Sequence, residues 1–181
     1  MICVFLAKGF EEIEAITPID VLRRANLDVK TIGIGGKIIE GTHGIKIEAD
    51  LEIENLNIND IDGIILPGGM PGTTNLSKNE KLKDIILKCN EKKQMIAAIC
   101  AAPSILGEMG ILKDKKACCY PGFEDKLLGA NISSEEVCVS ENIITSKGPG
   151  TALNFSLKIV EYICGKEIKE KVRKSMQCGN I

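Results

Sequence analysis

Tryptophan is absent from this 181-residue sequence, and the other aromatic residues are few: four Phe and two Tyr. Proteins that bind single-stranded nucleic acids combine aromatic stacking with positive charge, whereas the formal net charge here is −2. No apolar run reaches the roughly 18–20 residues of a membrane span. The opening run MICVFLA is too short for a signal peptide and lacks a cleavage pattern. The sequence therefore predicts a cytoplasmic protein that binds neither nucleic acids nor membranes.

Motifs for metals and nucleotides are also missing. The cysteines form no CxxC pair, and the single histidine, His43, is far from all of them in sequence. Neither GxGxxG nor GxxxxGK[ST] occurs. We therefore expect neither a metal nor a cofactor. In a reducing compartment most of the eight cysteines should be small buried thiols; they are Cys3, Cys89, Cys100, Cys118, Cys119, Cys138, Cys164 and Cys178.

Strand-like and helix-like patterns alternate along the chain. The runs MICVFLA, DGIILP and QMIAAI are typical of buried parallel strands, and NEKLKDIILKCNEKK and TALNFSLKIVEYICG have helical spacing. KIIEGTHGIKIEAD predicts a hairpin, and KEIKEKVRK predicts a polar helical turn or tail. The sequence thus predicts one α/β domain over residues 1–181, with a mostly parallel central sheet and helices on both faces.

Three turns rich in small residues follow predicted central strands: PGGMPG at 67–72, CAAP at 100–103 and GPGT at 148–151. The carboxyl ends of parallel strands meet at one edge of a sheet, where α/β proteins carry their sites. We therefore expect these turns to converge on a functional site.

The segment QMIAAICAAPSIL places Cys100 between a strand and a helix. A sharp strand–turn–helix elbow needs small neighbours, which Ala101 and Ala102 supply, and Pro103 suits the first helical turn. A thiol at a helix N-terminus has a lowered pKa and is reactive. The N–H of Ala101 and one from the loop at Gly69 would form an oxyanion hole. The alternative, a packed core cysteine, is the interpretation we keep for the other seven.

Glu14 lies just past the first strand, in AKGFEEIEAITPIDVLRR. Pro18 has no N–H for the Glu14 carbonyl. Either the helix kinks there, or a new helix begins with Thr17 as its cap. A carboxyl buried beside a thiolate would have a raised pKa and could hold or move a proton. On the residues alone, an exposed helix glutamate is the favoured interpretation.

Four segments together resemble the ThiJ/PfpI superfamily, which is similar to class I glutamine amidotransferases, and in particular its parkinsonism-associated, deglycase-like branch. They are LAKGFEEIEAITPIDVLRRA, ILPGGMPG, AAICAAPSIL and TSKGPGTALNF, in order, and the likeness extends from about residue 2 to 170. The resemblance implies a flavodoxin-like α/β sandwich that forms homodimers, with the nucleophile elbow at Cys100.

The resemblance also implies roles for individual residues. Cys100 would be the nucleophile and Glu14 its protonated partner, with Gly69 and Ala101 as N–H donors. Pro149 would line the pocket, and Arg24 would help form an anion-binding pocket near the dimer interface.

Members of the superfamily act without cofactor as glyoxalases, converting methylglyoxal to lactate, or as deglycases that repair early glycation adducts. We therefore expect small reactive carbonyl compounds or glycated groups as substrates. The alternative is an oxidative-stress sensor or redox-regulated chaperone that acts through oxidation of Cys100.

Two positions depart from the resemblance. Tyr120 stands where several relatives place a histidine near the nucleophile, which argues against a cysteine peptidase or amidase. His43 takes a hairpin position held by an arginine in a relative. His43 could reach the pocket, although a partly exposed turn residue is the favoured interpretation.

Overall fold

A computed structural model describes residues 1–179 of the chain. Its strands are β1 Ile2–Ala7, β2 Val29–Ile34, β3 Ile38–Glu40, β4 Lys46–Glu48, β5 Leu51–Glu52, β6 Gly63–Leu66, β7 Met95–Ile99, β8 Lys116–Ala117, β9 Asn131–Ile132, β10 Val137–Ser140 and β11 Ile143–Ser146. Its α-helices are α1 Glu12–Arg24, α2 Gly72–Ser77, α3 Glu80–Glu91, α4 Pro103–Glu108, α5 Ala152–Cys164 and α6 Lys166–Ser175. Short 3-10 turns cover Ile53–Asn55, Ile58–Asp60, Glu124–Lys126 and Pro149–Thr151.

The central sheet has seven strands in the order β10-β11-β7-β6-β1-β2-β5. Every neighbouring pair is parallel except β10 and β11, which form an antiparallel hairpin at one edge. The five main parallel strands, taken in chain order, stand in the flavodoxin-like order 2-1-3-4-5. The predicted fold class, a mostly parallel α/β sandwich, is confirmed.

The central strands are apolar throughout because both faces of the sheet are covered. Side chains that alternate along β1 enter different cores: Cys3 and Phe5 pack on one side, and Val4 and Leu6 on the other. The first core includes residues of α3 and α4, and the second includes residues of α1, α5 and α6. Among residues 1–179, we find no helix whose length and apolar content suffice to cross a membrane.

Helix α1 runs through Pro18 without interruption. The interpretation in which a new helix begins after Thr17 is therefore wrong. Pro18 lies on the buried face of the helix together with Ala15 and Leu22. Packing of this face against α5 and the sheet offsets the backbone hydrogen bond that proline removes.

The C-terminal segment KEIKEKVRK is more structured than the polar turn or tail that the sequence predicts. It belongs to α6, a helix of ten residues that packs on α5. Val172 is buried and Ile168 packs against the same core, so two apolar residues four positions apart anchor an otherwise charged helix. Gly165, at φ 83°, separates α5 from α6.

Candidate active site

Cys100 occupies the sharp turn between β7 and α4. Its φ is +65°, in the left-handed region that non-glycine residues rarely adopt, which costs about 1–3 kcal/mol. Two backbone hydrogen bonds hold it there. Its N–H donates to the carbonyl of Ser146 at 2.9 Å, and its carbonyl accepts from the N–H of Tyr120 at 2.8 Å. The predicted strand–turn–helix elbow is present, and Cys100 at its centre is partly exposed.

Glycines in the loop after β6 allow this turn to approach its neighbours closely. A Cβ on Gly68 would lie 2.6 Å from Cβ of Cys100 and 2.7 Å from Oε2 of Glu14. Gly69 has a φ of +88°, and a Cβ there would lie 2.4 Å from the backbone nitrogen of Glu11. The loop therefore fits against both α1 and the elbow only when both positions are glycine.

Glu14 is fully buried, so the interpretation of an exposed helix glutamate is wrong. Its Oε2 accepts a 2.8 Å hydrogen bond from the N–H of Gly68. Its Oε1 has no hydrogen-bond partner among residues 1–179. Burial raises the pKa of Glu14 to about 7, while the neighbouring Cys100 thiol and the N–H of Gly68 act in the opposite direction.

The predicted ionised sulfur at neutral pH needs correction. Burial raises the pKa of the Cys100 thiol to about 12, and both the charge of Glu14 and its hydrogen bond to the thiol add to this effect. The N–H groups of Gly69 and Ala101 lower the pKa but do not outweigh burial. Beside an ionised Glu14, Cys100 is therefore a thiol. A thiolate forms only when the proton of the pair moves to the carboxyl group.

The N–H groups of Gly69 and Ala101, the two predicted oxyanion donors, both lower the pKa of the Cys100 thiol. They come from different loops, those after β6 and β7, whose strands are parallel neighbours in the sheet. Negative charge that develops on the sulfur, or on an oxygen bound next to it, is therefore stabilised by backbone dipoles that are already oriented.

The loop after β11 forms a third side of the site. A Cβ on Gly148 would lie 3.2 Å from the ring of Tyr120 and 4.0 Å from Oε1 of Glu14. Pro149 follows directly and opens a 3-10 turn. The segment with the predicted pocket residue Pro149 therefore passes beside the carboxyl group and the Tyr120 ring.

His43 lies on the β3–β4 hairpin and pairs with Glu12 instead of Cys100. Its Nδ1 lies 2.8 Å from Oε2 of Glu12, and its backbone N–H donates to Oε1 of Glu12 at 2.7 Å. A Cβ on Gly41 would overlap this carboxylate, so the hairpin is shaped around Glu12. The hydrogen bond to Glu12 raises the pKa of His43, and the charge of Glu11 adds to the effect. The imidazole is 67% exposed.

Arg24 lies at the far end of α1 and is not part of the Cys100 site within one chain. Its Nε is 2.7 Å from Oδ2 of Asp20, in an exposed i, i+4 ion pair. It also lines a shallow cavity of about 260 Å³ between α1 and α6. The role predicted for Arg24 at an anion-binding pocket would require a second chain.

One group of side chains could in principle hold a metal ion. The donor atoms of Glu11, Glu12 and His43 lie within 4.8 Å of one another, and no similar group of three was found elsewhere in residues 1–179. The carboxylate of Glu12 is already used by hydrogen bonds from the hairpin backbone. We assign no metal to this cluster.

Three groups that hold the site together were not predicted from the sequence. Gly68 donates to Glu14, the carbonyl of Ser146 fixes the N–H of Cys100, and the N–H of Tyr120 fixes its carbonyl. The doubled glycine of PGGMPG is a signal that could have indicated Gly68. The two backbone contacts depend on loops far apart in the chain and leave no pattern in the sequence.

A model of the DJ-1/PfpI family matches residues 1–162. The chain belongs to the DJ-1/PfpI family. The predicted resemblance is thereby confirmed. The chain is 37% identical over 175 residues to the Parkinson disease protein 7 homolog of Danio rerio, covering 94% of this chain and 93% of the relative. It is 36% identical over 159 residues to the glutathione-independent glyoxalase DJR-1.2 of Caenorhabditis elegans, covering 87% and 84%.

The chain spans less than half the length of two DJ-1/PfpI relatives from Arabidopsis thaliana. It is 39% identical to protein DJ-1 homolog B, covering 90% of this chain but 38% of the relative, and the corresponding share of homolog A is 44%. Among solved structures, oxidized Toxoplasma gondii DJ-1 superposes with a TM-score of 0.94 and 34% identity, covering 99% of this chain and 98% of the other. The family membership and the fold are therefore established together.

Proposed function

We propose that this DJ-1/PfpI protein is a cofactor-independent enzyme that converts methylglyoxal to lactate through Cys100. The observation that carries the proposal is the close packing of the strained Cys100 turn, the buried Glu14 carboxyl group and the glycine loop after β6. A glyoxalase name among the relatives supports the same reaction class.

The first step joins the thiol to the aldehyde. The Glu14 carboxylate takes the proton of Cys100 as the sulfur attacks the aldehyde carbon and forms a carbon–sulfur bond. The electron pair of the C=O bond moves to oxygen, where the N–H groups of Gly69 and Ala101 stabilise the charge. Glu14 then returns the proton to this oxygen, which gives a neutral hemithioacetal.

The second step moves hydrogen between two neighbouring carbons. Glu14 removes the proton from the former aldehyde carbon, and the ketone becomes an enediolate. The hydroxyl proton moves from the first oxygen to the second, and Glu14 returns its proton to the second carbon as the C=O bond of the first carbon re-forms. The product is a lactoyl thioester, which water hydrolyses to lactate and free Cys100. A carboxyl pKa of about 7 suits both directions of transfer, because the group accepts and donates protons near neutral pH.

The same chemistry extends to glycated groups. Early adducts of a reactive carbonyl with an amine, guanidine or thiol contain a carbon that has already undergone addition. The bond from that carbon to nitrogen or sulfur would break, with Glu14 protonating the leaving group and taking the hydroxyl proton in exchange. Cys100 would then add to the freed carbonyl compound and form the same hemithioacetal at the same donors. Repair of glycation adducts is therefore the second reaction that we propose for this site.

A redox sensor is the alternative function. Cys100 is partly exposed, and Oε1 of Glu14 is free to hydrogen-bond with a new oxygen on the sulfur. A solved relative of this fold is described as oxidized.

No histidine contacts Cys100 in residues 1–179, since the single histidine pairs with Glu12. A peptidase of the Cys–His type is the least supported reading of the site.

We also propose a homodimer built on α1. Ile13 is 53% exposed and Ile16 is 41% exposed, on the same helix face as Asp20 and Arg24. Large exposed apolar side chains on one helix face favour association. A second copy on this face would bring Arg24 into the interface, in agreement with the role that the resemblance implies for it.

Lactate formation from methylglyoxal, followed by proton NMR, tests the enzyme. We expect no turnover in Cys100→Ser and about a 100-fold loss in Glu14→Gln, because general acid–base catalysis contributes on this order. Cys178→Ser, a change near the C-terminus, is the matched control and keeps full activity. Wild-type turnover in Cys100→Ser would refute the proposal. Selective addition of two oxygens to Cys100 by peroxide, without lactate formation by the wild type, would favour the sensor.

A further inference from the structure

Cys118 and Cys138 meet on one side of the β10–β11 hairpin, outside the Cys100 site. Cys138 and Thr145 are directly opposed in the antiparallel register, so their side chains share a face. Cys118 lies over the same pair: its N–H donates to Oγ1 of Thr145 at 3.0 Å, and its sulfur lies 3.4 Å from the Thr145 carbonyl oxygen. The Cys118 sulfur also lies 3.7 Å from Oγ1 of Thr145, so both thiols are neighbours of the same threonine side chain. Both residues are buried.

The surroundings of the two sulfurs differ. The hydrogen bonds from Cys118 and Ser133 lower the pKa of Cys138 to about 6, although burial opposes the shift. The hydrogen bond to Cys138 and burial raise the pKa of Cys118. The charge of Glu135 raises the pKa of Cys138, and the charge of Lys116 lowers it. One sulfur of the pair is therefore prepared to act as the nucleophile and the other to hold the remaining proton.

A cavity of about 370 Å³ borders the segment that follows Cys118, and Ser133, which lowers the pKa of Cys138, is one of its lining residues. Cys119 lines the same cavity. Strand β10 is the outermost strand of the central sheet, and β8, which leads into Cys118, packs against it.

We propose that Cys118 and Cys138 form a reversible intramolecular disulfide when a hydroperoxide oxidises the protein. The Cys138 thiolate attacks the outer oxygen of the peroxide, which gives a sulfenic acid and, for hydrogen peroxide, a water molecule after protonation. The Cys118 sulfur then attacks the sulfenic sulfur, its proton leaves with the hydroxyl group as a second water, and the S–S bond forms. The two thiols lose two electrons, and the peroxide gains them.

The disulfide would be connected to the Cys100 elbow through the chain. Only Cys119 separates Cys118 from Tyr120, whose N–H holds the Cys100 carbonyl. Closing the S–S bond draws the Cys118 backbone toward β10 and changes the support of the elbow. The disulfide itself does not depend on the proposed enzymatic function, because neither of its sulfurs contacts the reacting atoms there.

Peptide mapping of the oxidised full chain tests the proposal. A Cys100→Ser background removes oxidation at the elbow. The protein is treated with hydrogen peroxide at pH 7, blocked with N-ethylmaleimide, and digested with trypsin, which separates residues 117–126 from residues 127–147. We expect these two peptides to appear joined, about 2 Da lighter than their sum, and to separate on treatment with dithiothreitol.

Matched variants identify the sulfurs. The joined species should be lost in Cys118→Ser and in Cys138→Ser but retained in Cys119→Ser, with circular dichroism confirming that each variant is folded. Cys118→Ala serves as a second variant if the serine change disturbs the fold. The proposal is overturned if Cys138 remains fully labelled after oxidation, if Cys118 joins Cys119 instead, or if the joined species persists in Cys118→Ser. Loss of lactate formation in the enzyme assay leaves these outcomes unaffected.

Discussion

The N–H of Gly68 donates a 2.8 Å hydrogen bond to Oε2 of Glu14, across 54 positions of the chain. The contact connects the loop after β6 with the first helix, and Cys100 packs against both. It places a carboxyl group of raised pKa beside the thiol without exposing that group to solvent. The proton that the pair shares is thereby confined to the site.

Gly68→Ala tests this packing. The new Cβ would lie 2.6 Å from Cβ of Cys100 and 2.7 Å from Oε2 of Glu14, so backbone or side chains must shift. We expect a loss of about 1–3 kcal/mol in the free energy of unfolding, as for other overpacked sites, together with reduced methylglyoxal turnover. Urea denaturation measures the first effect.

Gly150→Ala is the matched control for that substitution. It adds the same methyl group in the loop after β11, where nothing lies within 4 Å. Its stability should stay within about 0.5 kcal/mol of the wild type, as for other surface changes. Equal stability of the two variants would show that the close approach at Gly68 is not required.

The raised pKa of Glu14 predicts a pH dependence of stability. The folded-state pKa of about 7 exceeds the ordinary value of 4.5, so the folded protein binds this proton more tightly than the unfolded chain. Its stabilising contribution is complete below pH 4.5 and is lost as the pH rises through 7. The loss amounts to about 3 kcal/mol at most.

Glu14→Gln isolates this effect. The amide keeps an oxygen for the Gly68 N–H but does not ionise, so the stability of the variant relative to the wild type should rise between pH 4.5 and 7. Urea unfolding at pH 5 and pH 7.5 provides the comparison. A constant difference between the two proteins would mean that Glu14 titrates normally.

His43 offers a direct electrostatic measurement, because it is the only histidine of the chain. Its hydrogen bond to Glu12 raises its pKa above the usual 6.5. Proton NMR should therefore show one imidazole that titrates above this value. In Glu12→Gln the titration should move down toward 6.5, and an unchanged midpoint would contradict the pairing.

The exposed face of α1 predicts the effect of a charge on association. Ile16→Glu should shift sedimentation velocity from dimer toward monomer, because it places a carboxylate in the proposed apolar contact. Leu87→Glu, on α3, is the control: Leu87 is similarly exposed, at 43%, and should tolerate the change. Identical sedimentation of Ile16→Glu and wild type would refute a dimer through α1.

The sequence predicts local features of this molecule well and remote ones poorly. The elbow at Cys100 can be predicted because a sharp turn requires small residues next to it in the sequence. The parallel sheet can be predicted from its apolar strands. The burial of Glu14 is not, because it depends on a glycine loop 54 residues away. The ionisation state of Cys100 fails for the same reason: helix geometry favours the anion, while burial and the neighbouring carboxylate raise its pKa.

The residues of the candidate site come from loops after four different strands, so activity depends on the whole sheet. Glu14, Gly69, Cys100 and Pro149 follow four different strands, and no two of them are contributed by the same loop. A chain cut anywhere between residues 14 and 149 would retain every reacting group only if both pieces stayed docked on the sheet. Enzymatic turnover would then require the whole sheet to be assembled. Loss of one strand would abolish turnover while the circular dichroism spectrum changes little.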